Sequence, residues 1–123
     1  MKSILVVDDD PAVAEALAIY LTAEGYRTQI AGNGQEALAT IDDEFVPDLV
    51  ITDIFMPVMD GQTLKRTMKN DPRLCDVPVL LITGAPAFAR EAPLEETIVL
   101  HKPIGLQALL GVIEQMIGRA ADP

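Results

Sequence analysis

Ile4-Leu5-Val6-Val7-Asp8-Asp9-Asp10-Pro11 is the stretch from which the rest of the chain can be read. Four consecutive apolar residues, three of them β-branched, suit a strand buried on both faces, as in a parallel sheet covered by helices. The run stops at three aspartates. Asp10 before Pro11 has the chemistry of a helix N-cap followed by a first helical position. Val13, Leu17, Tyr20 and Leu21 then recur at helical spacing until Gly25. A strand therefore runs directly into a helix.

Outward from this stretch the same unit returns. Arg27 to Ala31 reads as a second short strand, and Asn33 with Glu36 three residues later has the pattern of a capping box, opening a helix that carries Ala37, Leu38 and Ile41. Pro47 closes this unit. Asp48 to Thr52 supplies a third strand, and Asp60-Gly61 opens a helix through Leu64 and Met68 that must end before Pro72. Val77 to Ile82 reads as a fourth strand and Thr97 to Leu100 as a fifth. Leu106, Leu109, Leu110, Ile113, Met116 and Ile117 mark a last helix ended near Gly118. Pro86 and Pro93 restrict any fourth helix to a turn or two, so that helix is expected to be short or irregular. The alternation predicts an α/β fold, a doubly wound (βα)5 arrangement with a five-stranded parallel sheet and helices on both faces. Residues 1–123 read as a single domain, with a core over about 4–117 and a tail over 118–123.

Composition agrees with a globular chain. The 123 residues suffice to bury a core without disulfide or metal staples. Half are hydrophobic and 23% charged, and the nine prolines and eight glycines follow no repeat, which excludes disordered and collagen-like classes. Nineteen acids against nine bases leave a net charge of −10, which argues against direct nucleic-acid binding. With Cys75 and His101 the only residues of their kinds, no zinc site can be assembled and no internal disulfide can form, which favours a reducing compartment. The apolar runs fall short of a signal peptide or a membrane span, so a cytoplasmic protein without membrane attachment is expected.

In open parallel sheets, ligands bind beyond the carboxyl ends of the strands, near the point where the winding reverses. This chain places Asp8 and Asp9 after strand one, Asp53 after strand three, Thr83 after strand four and Lys102-Pro103 after strand five. Three converging carboxylates repel one another, and a hard divalent cation relieves that repulsion, which makes Mg²⁺ the natural occupant. With a cation on Asp8, Asp9 and one oxygen of Asp53, the other Asp53 oxygen can attack phosphorus to form an aspartyl phosphate. Lys102 and Thr83 can then bind the phosphoryl oxygens. Taken singly, each residue also has a plain structural reading: strand-end aspartates with a helix cap, a turn aspartate, a strand-end hydroxyl, a rim lysine. Their joint occurrence around one switch point favours a site. His101, Cys75, the Asp42-Asp43-Glu44 run and the apolar stripe of the last helix read as packing or solvated positions.

At these residues the sequence resembles the receiver domain of bacterial two-component response regulators, from Ile4 to Ile117. The matching positions are the acidic pair Asp8-Asp9, the phosphoacceptor and its turn in Asp53-Ile54-Phe55-Met56-Pro57-Val58-Met59-Asp60-Gly61, the strand-four hydroxyl Thr83, and Lys102-Pro103. The resemblance implies a flavodoxin-like fold in which Asp53 accepts a phosphoryl group from a sensor histidine kinase or a histidine phosphotransfer protein. It implies Mg²⁺ on Asp8, Asp9, Asp53 and the Phe55 backbone carbonyl, and a cis Lys102-Pro103 bond. It further implies a monomer or weak dimer that signals by a conformational switch to a downstream protein target or a fused output domain. The chemistry would be self-catalysed phosphoryl transfer with slow dephosphorylation, not enzymatic turnover. Val99 stands where the family usually has an aromatic switch residue, which moves the expected read-out to the backbone between Ala85 and Glu96. The same departure leaves a phosphorylation-independent interaction module, a pseudo-receiver, as the alternative. A phosphohydrolase with an aspartate nucleophile would carry a second aspartate two residues on, where this chain has Phe55, so poor turnover is expected.

Overall fold

In a computed structural model, which describes residues 1–83, 98–101 and 105–120, the opening apolar run forms β1 (Ser3–Val7), buried along its whole length. Asp10 leaves the strand in extended conformation, and its carboxylate accepts the Ala12 N–H at 3.0 Å. Pro11 begins helix α1 (Pro11–Ala23). Gly25 adopts φ 100°, a left-handed turn that a side chain would strain, and returns the chain to β2 (Arg27–Ala31). Asn33 caps α2 (Gly34–Thr40) by accepting the Glu36 N–H at 2.9 Å, and the Glu36 carboxylate accepts from the Asn33 side-chain amide at 3.1 Å. The remaining elements are β3 (Leu49–Asp53), α3 (Gly61–Lys69), β4 (Val79–Thr83), β5 (Ile98–His101) and α4 (Leu106–Ile117).

Strand limits differ from the sequence reading by one or two residues, for local reasons. Val77 donates its N–H to the Leu74 carbonyl at 3.0 Å, so the turn after α3 continues to Pro78 and β4 begins only at Val79. Asp71 starts that turn. Its carboxyl is held below the usual carboxylate range, chiefly by the Arg73 backbone N–H and then by the Arg73 guanidinium. Asp48 precedes β3 and links it to β1, accepting the Ser3 N–H at 2.7 Å and donating its own N–H to the Ser3 carbonyl at 2.8 Å.

All four strand pairs are parallel, in the order β2-β1-β3-β4-β5. The chain winds from β1 to β2 in one direction and from β1 through β3 to β5 in the other, so the winding reverses between β1 and β3. Alternation along the strands makes two apolar layers. Leu5, Val7, Val50, Val79 and Leu81 meet Ala37 of α2, Ile41 just after it, and Leu64 and Met68 of α3. On the opposite face Ile4, Val6, Ile51, Leu80 and Ile82 meet Ala14 and Leu21 of α1 and Leu109 and Ile113 of α4. The doubly wound sheet with helices on both faces is thus the observed architecture.

Two features were not foreseen. Phe45, in the connection between α2 and β3, is buried in the first layer with the Arg27 guanidinium 5.4 Å from its ring centre. Beyond α4, the Gly118 carbonyl accepts the Tyr26 hydroxyl at 3.0 Å and the Ala120 carbonyl accepts the Lys2 N–H at 3.4 Å, so residues 118–120 lie against the start of the sheet. The short helix expected between β4 and β5 falls outside the described residues, as do Lys102-Pro103 and residues 121–123. Among the described residues, no helix is long and apolar enough to cross a membrane.

Leu64 is fully buried where α3 meets the sheet. Leu64→Ala should cost about 2–5 kcal/mol, measured by urea denaturation with an unchanged slope. A loss below about 1 kcal/mol would be incompatible with this packing of α3.

Candidate functional site

β1 and β3 lie side by side at the winding reversal, with Val7 level with Thr52. The residues one step further on are Asp8 and Asp53. One carboxylate oxygen from each of Asp8, Asp9 and Asp53 can be chosen so that all three lie within 4.8 Å of one another. Asp8 is buried, Asp53 half-buried and Asp9 exposed. Asp8 is held locally, because its N–H donates to the Ala31 carbonyl at 3.1 Å and its Oδ1 accepts the Asp10 N–H at 2.9 Å. Of the three consecutive aspartates, two therefore belong to the rim and Asp10 serves the helix cap.

Oxygen-only donors of like charge are the chemistry of a hard-cation site. Ligands of a small octahedral cation lie about 3 Å apart when adjacent and about 4.2 Å apart when opposite, so three oxygens within 4.8 Å of one another would draw together around one. Without a cation the three carboxylates repel by about 1 kcal/mol per pair under bulk-water screening, and by more where burial weakens that screening.

The segment after Asp53 is tied down at several points. The Ile54 N–H extends the ladder to the Ile82 carbonyl at 3.2 Å, and the Ile54 carbonyl accepts the Gly61 N–H at 2.8 Å, closing a loop over residues 54–61. Within it the Met59 N–H donates to the Pro57 carbonyl at 2.7 Å around Val58, whose φ of 68° is left-handed. This is a γ-turn of the strained hand, with a β-branched residue at its centre. The Met59 carbonyl accepts the Gly34 N–H at 3.1 Å, joining the loop to the start of α2, and Asp60 caps α3 by accepting the Thr63 N–H at 2.7 Å.

Asp8, Asp9 and Asp53 are thus brought together as the sequence suggested. Thr83 ends β4 opposite His101 of β5, at the same end of the sheet, and Val99 is paired with Leu81. Phe55 lies exposed in the loop after Asp53. Lys102 is outside the described residues.

Three further residues matter here and were missed. Gly61 was read as a helix start and as the end of the turn after Asp53, without a reason for glycine; a Cβ at this position would lie 2.3 Å from the Asp53 carbonyl oxygen, a backbone atom that cannot give way. Val58 carries the strained turn, and no sequence signal marks a valine for that conformation. Thr52 is fully buried, and its hydroxyl donates to the Asp53 carbonyl at 2.9 Å. A hydroxyl in the otherwise apolar run Leu49 to Ile51 was the available signal.

With this geometry in place, comparison with known proteins is informative. Residues 4–114 match the family model described as the response regulator receiver domain. The DNA-binding response regulator MtrA of Mycolicibacterium smegmatis is 42% identical over 83 residues, which cover 68% of this chain and 35% of MtrA. The response regulator PleD of Caulobacter vibrioides is 45% identical over 81 residues, 66% of this chain and 18% of PleD. The chain therefore matches only a minor part of these longer relatives. Among solved structures, the receiver domain of a signal transduction histidine kinase from Syntrophus aciditrophicus superposes with a TM-score of 0.84 at 33% identity, covering 95% of this chain and 90% of that one. The response regulator TrrA of Thermotoga maritima, solved in complex with Mg²⁺-BeF, gives a TM-score of 0.83 at 30% identity over 94% of this chain and 99% of TrrA. The fold is accordingly flavodoxin-like, as the resemblance implied.

The loop geometry has opposite consequences for two substitutions. Val58→Gly should stabilise the fold by about 0.5–1 kcal/mol, because relief of left-handed strain exceeds the entropy cost of glycine. Gly61→Ala should destabilise it by about 1–3 kcal/mol through overpacking against backbone. Thermal and urea unfolding of both variants provide the check, and a neutral Gly61→Ala would rule out the close approach.

Proposed function

The chain belongs to the response regulator receiver family, and from that membership we propose that Asp53 is its phosphoacceptor, with Mg²⁺ held by Asp8, Asp9, Asp53 and the Phe55 backbone carbonyl. The observation that carries this reading is the grouping of three carboxylates from two strands at the winding reversal. The donors are a sensor histidine kinase or a histidine phosphotransfer protein, and the output is a downstream protein or a fused domain.

Bound there, the cation supplies neutralisation of the carboxylate rim and withdrawal of charge from the phosphoryl oxygens. The protein's own part is positioning. Asp8, fixed by the Ala31 carbonyl and the Asp10 N–H, and Asp9 at its side give the anchoring carboxylates. Asp53 presents one oxygen to phosphorus. As the new O–P bond forms, the bond from phosphorus to the donor histidine nitrogen breaks, and the electron pair stays on that nitrogen. Thr83 and Lys102 are assigned to the phosphoryl oxygens as charge-assisted partners. Phosphorylation replaces the single charge of the Asp53 carboxylate by roughly −1.5 to −2 on a bulkier phosphoryl group, and the response of these two residues is the switch. The exposed position two residues after Asp53 is Phe55, which offers no second acid, so the reaction is self-catalysed transfer followed by slow loss and not enzymatic turnover.

Intact mass after incubation with acetyl phosphate and Mg²⁺ tests the reading. The parent should gain one phosphoryl group, and Asp53→Asn should gain none. Excess chelator should lower the parent's labelling rate by about 100-fold or more, the loss of several kcal/mol of charge stabilisation. Equal labelling of parent and Asp53→Asn, or labelling indifferent to chelator, contradicts the assignment.

A further inference from the structure

The peptide group joining Asp53 to Ile54 is held at both ends. Its N–H donates to the Ile82 carbonyl of β4 at 3.2 Å. Its carbonyl accepts the Thr52 hydroxyl at 2.9 Å. Thr52 has a single proton to donate, and its other polar neighbour, the Met56 sulfur, is a weak acceptor at 3.9 Å. The Gly61 backbone passes the same carbonyl, close enough that even a methyl group at Gly61 would fall 2.3 Å from the oxygen. Thr52 is fully buried, so water does not compete for the hydroxyl.

The plane of this peptide fixes the backbone torsion that follows the Asp53 side chain. It therefore sets both where the Asp53 carboxylate stands relative to Asp8 and how the chain departs toward Phe55. We propose that Thr52 is a positioning residue for phosphoryl transfer, acting through the Asp53–Ile54 peptide and touching neither metal nor phosphoryl group. The proposal rests on the reading of Asp53 as phosphoacceptor. Without the hydroxyl the carbonyl is buried with a donor removed, and the peptide pivots about the Ile54–Ile82 hydrogen bond. Misplacement of a reacting group by about 1 Å can cost on the order of 100-fold in rate. A partial pivot should cost about tenfold.

Initial rates of mass gain with acetyl phosphate and Mg²⁺ should be compared for the parent, Thr52→Val, Thr52→Ser and Asp53→Asn. Thr52→Val keeps the shape and loses the donor, so its rate at saturating acetyl phosphate should fall about tenfold, while its half-saturating acetyl phosphate concentration and far-ultraviolet circular dichroism stay those of the parent. Thr52→Ser restores the hydroxyl and should recover to within about twofold. Thr52→Val as fast as the parent, or Thr52→Ser as slow as Thr52→Val, overturns the proposal. Should Thr52→Val not fold, the parent protein decides alone: a slowly exchanging Thr52 hydroxyl proton visible by NMR supports the bond, and rapid exchange overturns it. Labelling of Asp53→Asn is a separate outcome that removes the phosphoacceptor assignment itself, whatever the Thr52 variants do.

Discussion

Parallel pairing of β1 with β3 is the constraint on which the site depends. These strands are neighbours only because the winding reverses between them, and reversal places two strand ends side by side with no crossover helix between. Asp8 and Asp53 are separated by 45 positions along the chain, yet each follows the Val7–Thr52 pair by one residue. A one-residue slip in that register would move one carboxylate to the opposite face and break the group, since side chains alternate with a period of two. The register is in turn enforced by the two apolar layers. Shifting β1 by one residue would exchange Ile4 and Val6 with Leu5 and Val7 between packings built for different helices.

The strained loop follows from the same arrangement. Asp53 ends a central strand, and the chain must leave the sheet, turn and enter α3 without covering the rim. It does so in seven residues by tying 54 to 61, 57 to 59 and 59 to 34. Val58 carries the backbone cost of this path, and Gly61 is required by the closeness of the return. Strain and like-charge repulsion are both concentrated within a few residues of Asp53, and the flanking layers of fully buried Ile, Leu and Val side chains hold that region in place.

Legibility in the sequence followed the range of the interaction. Asp10-Pro11, Asn33 with Glu36, and Asp60-Gly61 announce helix starts because a cap is made by residues two or three apart. The carboxylate rim was legible because the two strands at the winding reversal run into aspartates and the topology follows from alternation of elements. Thr52, Gly61 and Val58 were not legible in the same way, since their roles depend on which backbone atoms come near them after folding. The start of β4 was misread because Val77-Pro78-Val79 is apolar throughout, and only the hydrogen bond from Val77 to Leu74 shows that the turn has not yet ended. Phe45 was overlooked because an aromatic residue beside Asp42-Asp43-Glu44 is read with its polar neighbours, whereas the chain there folds it under Arg27.

The three carboxylates are not equivalent, and their difference explains how a chain of net charge −10 tolerates them together. Asp8 is buried but shares its charge with a backbone N–H, which offsets part of the desolvation. Asp53 is half-buried and directed by a peptide plane secured at both ends. Asp9 is exposed, so water screens it, and its side chain can move away from the other two when nothing draws them together. Repulsion is therefore relieved at the one carboxylate whose displacement disturbs no packing. The two that define the geometry remain fixed to adjacent strands, and the third adjusts to them, which gives a rim that is preorganised where direction matters and compliant where charge must be accommodated.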